Sequence, residues 1–230
     1  MTAAVVDHMS GPNEHNANAH DAHDDHDAHG GGHHATATGV SNEKLGMWVF
    51  LGSECLLFGA LIATYLVYKG RSVNGPFPHE TVVNGVKVPG VFDIPFTSVS
   101  SFVLLMSSLT MVLALSAIGR GDERRLRIWL IGTALLGSTF LAGQIYEFTA
   151  FIREGLTIKT NLFGSSFYVL TGFHGAHVTI GILMLLGLAN LSRKGKIPKE
   201  KAEVVEIVGL YWHFVDVVWI VIFTVIYLIP

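Results

Sequence analysis

Six ionisable side chains stand inside long apolar stretches of this 230-residue chain: Glu54, Glu147, His174, His177, His213 and Asp216. A carboxylate at the centre of a hydrocarbon layer costs ~2.5–3.5 kcal/mol even on the most lenient scale, so such a group must face another helix, a lipid headgroup or water. His174 and His177 are i,i+3 and share one helix face, with Gly172, Gly175 and Gly181 around them to let a neighbour approach. His213 and Asp216 have the same spacing, which allows them to pair within one helix. Glu54 lies among the small residues Gly52, Ser53 and Cys55. It can act as a proton-linked acid, as an acceptor for a lipid headgroup or partner helix, or as a protonated structural acid. Two histidines one turn apart on a single helix cannot both be axial ligands of one haem. A smaller metal on His174, His177, His213 and Asp216 is conceivable on paper, but interhelical hydrogen bonding is the better reading, and no metal is expected in the bundle.

The elements that must position these groups follow from composition. Half of the chain is hydrophobic and only 14% is charged, against about 25% charged in ordinary soluble domains. Mean hydropathy is +0.47. A water-soluble enzyme is excluded. Apolar runs at about 45–67, 94–119, 128–152, 162–192 and 207–230 are each long enough to cross a bilayer, which takes about 20 residues. Helices satisfy their own backbone in lipid and open strands do not. The predicted fold is therefore an all-α membrane protein, a five-transmembrane-helix bundle spanning residues 44–230. Ser98, Ser100, Ser101, Ser107 and Ser108 in the second run read as helix-packing surface, and Trp48, Trp129 and Tyr227 as interfacial anchors. No nucleophile elbow, phosphate loop or dinucleotide-binding turn is present.

Charge is unevenly spread. Residues 1–40 hold six acids and no Lys or Arg, whereas residues 41–230 carry a net +3. Nothing in that body resembles a nucleic-acid patch, and no nucleic-acid partner is expected. The connections on the N-terminal side hold ten bases and those on the other side five, which predicts a cytoplasmic N-terminus and a periplasmic C-terminus. Residues 1–43 are a low-complexity His/Asp-rich tail with eight of the twelve histidines, expected to be disordered because so little apolar surface cannot offset chain entropy. Its His20, His23, His26, His29, His33 and His34 are candidates for weak binding of copper, nickel or zinc. Asn84-Gly85 between β-branched runs at 81–88 predicts a hairpin in the long connection after the first span. The single cysteine, Cys55, cannot form an intrachain disulfide.

Four segments resemble subunit III of the haem–copper oxidases. They are Ser53-Glu54 followed by Leu56-Leu57-Phe58, Gln144 to Phe148 (GlnIleTyrGluPhe), Phe167 to Gly181 (FYVLTGFHGAHVTIG), and Tyr211 to Trp219 (YWHFVDVVW). They stand in family order and cover residues 45–230. The resemblance implies a subunit with no redox centre of its own, in the inner membrane of a bacterium, packed on oxidase subunits I and II, which hold the haem and copper. It implies bound phospholipid and a role in sustaining proton uptake and turnover. The family's buried acid maps onto Glu54 and its paired histidines onto His174 and His177. Its last-span motif maps onto Trp212 to Asp216, so Glu54, His174, His177, His213, Asp216, Glu147 and Trp212 are expected at lipid or subunit interfaces. Many members have seven spans. The first pair has no counterpart here, and a small additional subunit is expected to replace it. The resemblance admits a cytochrome c oxidase, a quinol oxidase or a nitric-oxide-reductase-associated complex, with cytochrome c oxidase the commonest. A stand-alone transporter is the remote alternative, and neither inverted repeats nor broken helices support it.

Deleting residues 1–40 is expected to leave membrane assembly and turnover close to normal. Co-purification of partner subunits with the shortened chain checks this, and failure to assemble overturns it.

Overall fold

The computed structural model describes residues 41–69, 71, 76–77, 79–83, 86–88, 90, 92–195, 197 and 202–229. The tail histidines His20, His23, His26, His29, His33 and His34, and the Asn84-Gly85 turn, lie outside them. The order is α1 (Asn42–Lys69), β1 (Thr81–Val83), β2 (Val86–Val88), α2 (Ile94–Gly119), α3 (Glu123–Arg153), α4 (Leu162–Arg193) and α5 (Ala202–Phe223), which continues as a π-helical turn (Thr224–Leu228). Among the described residues, five helices are long and apolar enough to cross a membrane. The fold is an all-helical membrane bundle, with the short antiparallel ribbon β1–β2 in one connection (Thr81 opposite Val88, Val83 opposite Val86).

Several helices outrun the apolar stretches that predict them. α3 begins at Glu123 because Asp122 accepts from the Arg125 amide at 2.9 Å, so a charged first turn is helical before the apolar run starts. Asp93 accepts from Phe96 N, with Pro95 in the first turn of α2, and Asn161 accepts from Gly164 N at the start of α4. Between α2 and α3, Gly121 has φ +73 and Asp122 N returns to Ala117 O at 3.0 Å. Glycine takes this left-handed conformation without a Cβ clash, and the tight reversal makes α2 and α3 antiparallel neighbours.

α2, α3, α4 and α5 pack pairwise around a common core, and α1 packs against α4 and α5. The core centres on α5. The Trp212 ring is wedged between two glycines: an added Cβ would come within 2.5 Å of it from Gly137 on α3 and within 2.8 Å from Gly181 on α4. Its indole N–H donates to Ser107 Oγ on α2 at 3.0 Å. Two turns further along α5, Trp219 donates to Ser101 Oγ at 2.8 Å. Of the three glycines expected to admit a neighbour, only Gly181 does so closely. Gly172 meets nothing within 4 Å, and Gly175 meets only Leu141 at 3.8 Å.

Three polar ties at different levels attach α1. Near its start Lys44 Nζ lies 2.6 Å from Glu206, and Ser41 donates to Glu203. Midway, Glu54 meets α4. At its end Lys69 Nζ donates to the Val225 and Ile229 carbonyls beyond α5.

Gly181→Ala is expected to destabilise the protein by about 1–3 kcal/mol through overpacking against a rigid indole. Gly187→Ala, which has open space around it, should be neutral or gain about 0.5–1 kcal/mol in helix propensity. Thermal unfolding of the two variants in detergent compares them directly.

Candidate functional site

The ionisable groups fall into three separate clusters, each at a seam between helices. In the first, Glu54 Oε2 of α1 lies 3.0 Å from His177 Nε2 of α4, with the side chains 14% and 13% exposed. His177 Nδ1 lies 2.8 Å from the Phe173 carbonyl. A carbonyl oxygen only accepts, so Nδ1 carries a proton. One further proton then lies between Nε2 and the carboxylate. Whether it sits on nitrogen or oxygen, the pair has zero net charge, which relieves the cost of a lone carboxylate at mid-membrane. Phe58 packs edge-on to His177 with centroids 5.1 Å apart, and Tyr211 OH of α5 donates to the His177 carbonyl at 3.0 Å.

His174 shares the helix but not the cluster. It is 1% exposed and stacks on Trp219 (4.9 Å, 26°), with Phe140 edge-on at 6.1 Å. Neither ring nitrogen has a hydrogen-bond partner among the described residues. The i,i+3 histidines thus diverge, one toward α1 and one into the aromatic core.

The second cluster corrects the expected pairing within α5. His213 Nδ1 bonds Ser108 Oγ of α2 at 2.9 Å, whereas Asp216 Oδ1, one turn away, has no hydrogen-bond partner among the described residues. The two side chains share a face, as their spacing requires, yet His213 bonds a hydroxyl on the neighbouring helix rather than Asp216. In the third, Glu147 of α3 is 3% exposed and accepts from Thr97 Oγ1 of α2, from Gln144 Nε2 at 3.2 Å, and from Tyr227 OH at 3.4 Å. This corrects the expectation that Tyr227 anchors at the interface: it is 1% exposed, and the π-helical turn carries it into the core. Thr97 gave no signal in the sequence. Ser101, Ser107 and Ser108 were legible as packing surface, though not as the particular partners of two tryptophans and a histidine.

Among the described residues no group of three or more His, Cys, Asp or Glu side chains could hold a metal ion. Cys55 is exposed and free.

The arrangement defines a class: a multi-pass membrane bundle whose ionisable groups join its own helices. The family model for cytochrome c oxidase subunit III matches residues 20–229. The chain is 42% identical over 185 residues to the quinol oxidase subunit 3 of Bacillus subtilis (strain 168), an alignment covering 80% of this chain and 85% of that protein. It is 40% identical over 187 residues to the cytochrome c oxidase subunit 3 of Bacillus sp. (strain PS3), covering 81% and 86%. It is 41% identical over 186 residues to that of Thermostichus vulcanus, covering 80% and 86%. The chain belongs to the cytochrome c oxidase subunit III family, and is thus an accessory subunit of a haem–copper terminal oxidase, partnered by other oxidase subunits.

Glu54→Gln keeps a donor for His177 Nε2 and removes ionisation. Assembly, proton stoichiometry and initial rate of the oxidase should survive it. Glu54→Ala strands the imidazole, at about 1–3 kcal/mol, and should shorten the active life of the oxidase during turnover. The Glu54→Ala/His177→Ala double variant should cost less than the sum of the singles. Loss of pumping in an intact Glu54→Gln complex would instead make this carboxyl a proton carrier.

Proposed function

We propose that this chain is the non-redox subunit III of an oxygen-reducing, proton-pumping cytochrome c oxidase in a bacterial cytoplasmic membrane, with its N-terminus in the cytoplasm. It packs on subunit I, beside subunit II, retains phospholipid, and sustains proton uptake and turnover. Haem and copper reside in the partner subunits. One observation carries this reading: Glu54, His177, His213 and Glu147 all bond to neighbouring helices of the same bundle. Groups so engaged build a scaffold, and the chemistry belongs to the subunits it supports. In this reading Glu54, His174, His177, His213, Asp216, Glu147 and Trp212 act by holding the surfaces that lipid and subunit I contact. The outward face of α1, where Trp48, Val49 and Leu56 are 59%, 68% and 78% exposed, receives a small subunit or an extension of subunit I. The tail histidines serve at most as a weak metal site.

A second reading, with quinol as donor, is favoured by the relatives named quinol oxidase subunit 3. Purification through a tag on this chain is expected to bring down haem-bearing subunits that oxidise reduced cytochrome c. Activity with quinol alone selects the second reading. A colourless preparation without partner subunits overturns both.

A further inference from the structure

At the end of the bundle where α3 begins and α4 finishes, a surface groove is lined by Arg127, Ile131, Leu186, Ala189, Asn190 and Arg193. The helices are antiparallel neighbours, so the first turns of α3 and the last turns of α4 stand side by side. Arg127 and Ile131 are i,i+4, and Leu186, Asn190 and Arg193 follow at i, i+4 and i+7, so each helix gives one face to the groove. Ala189, 8% exposed, is its floor, and Ile131 and Leu186, 45% and 46% exposed, are its walls.

The two arginines differ from Arg125 at this end. Arg125 is paired with Asp122 at 3.1 Å, whereas neither Arg127 nor Arg193 has a carboxylate partner among the described residues. Arg127 is half-buried, while Arg124 and Arg125 are exposed. Its Nε donates to the Glu123 carbonyl at 3.2 Å, and its two terminal nitrogens have no partner among the described residues. Arg193 makes only a long contact, 3.4 Å, to Asn190 Oδ1. The groove therefore presents guanidinium donors at the edge of a span, above a channel of Ile, Leu and Ala that leads toward the membrane interior.

We propose that this groove binds one anionic phospholipid, its phosphate held between Arg127 and Arg193 and an acyl chain lying along Ile131, Ala189 and Leu186. A guanidinium binds phosphate oxygens through paired, charge-assisted hydrogen bonds. A soluble anion would satisfy the arginines and leave the apolar channel bare. A lipid matches both parts, charge against charge and chain against channel. The site is separate from Glu54, which faces α4 from α1. It rests on the membrane-spanning reading and not on the identity of the electron donor.

The test uses the full chain, alone or in its complex, in phosphatidylcholine vesicles carrying a minor share of photoactivatable phosphatidylglycerol, followed by peptide mapping. Label is expected on both the α3 peptide around Ile131 and the α4 peptide around Leu186. Arg127→Gln with Arg193→Gln should reduce it at least about tenfold, the loss expected for removal of charge-assisted contacts, while Arg124→Gln should leave it unchanged. If the glutamine pair does not insert, Arg127→Lys with Arg193→Lys replaces it: charge without the fork should give intermediate labelling. Equal labelling by a phosphatidylcholine probe, labelling indifferent to the substitutions, or none at these peptides because a partner subunit covers them would each overturn the proposal. Since no haem or oxidase activity enters the readout, failure of the oxidase reading and failure of the lipid site are distinguishable.

Discussion

The packing of the bundle depends on one flat ring. Trp212 leaves no room for a side chain at Gly137 or Gly181, and its single donor is directed at Ser107. Three helices are thereby fixed against α5 at one level, and none can rotate or slide without opening a void or burying a lone N–H. Trp219 repeats the device with Ser101. The serines descend α2 as the tryptophans ascend α5, as antiparallel helices require, so two contacts set both register and direction. The second indole in turn offers a face for His174 to stack on. The imidazole is held there by aromatic packing, without a hydrogen bond to another side chain among the described residues.

α1 is attached on a different principle. Its outward face is open, and its ties to the rest are polar: Lys44 to Glu206, Glu54 to His177, Lys69 to the carbonyls after α5. Lipid tails are as apolar as leucine, so apolar contact alone gives no strong preference for helix over lipid, and hydrogen bonds and close packing decide which helices associate. A helix with few buried side chains can therefore be held by a few well-placed polar contacts spaced along it.

Five spans and their nature were legible because hydropathy acts over whole helices and tolerates errors at the ends. The ends were less so: caps such as Asp122 extend helices into charged turns that an apolar run cannot report. The ionisable residues were legible individually, since a charge in an apolar run stands out. Their partners were not. His177 meets Glu54 across 123 positions of sequence, and Ser108 meets His213 across 105. Spacing within one helix describes a shared face and says nothing of what the neighbouring helix brings to it. Tyr227 shows the same limit: its place near a span end suggested the interface, and a π-helical turn, which has no simple sequence signature, carries it to Glu147.

The three polar clusters lie at different seams. Glu54–His177 joins α1 to α4, Ser108 with His213 joins α2 to α5, and Glu147 with Thr97 and Tyr227 joins α3 to α2 and to the turn after α5. Each is small and largely enclosed. Such groups have few alternatives: a helix displaced by one turn would leave a carboxyl or imidazole facing lipid, while the same displacement of two apolar faces exchanges one hydrocarbon contact for another. Directional groups discriminate between registers in a medium where apolar contacts scarcely do. The Glu54–His177 pair adds a second property, since its proton can change atoms without changing the net charge of the seam.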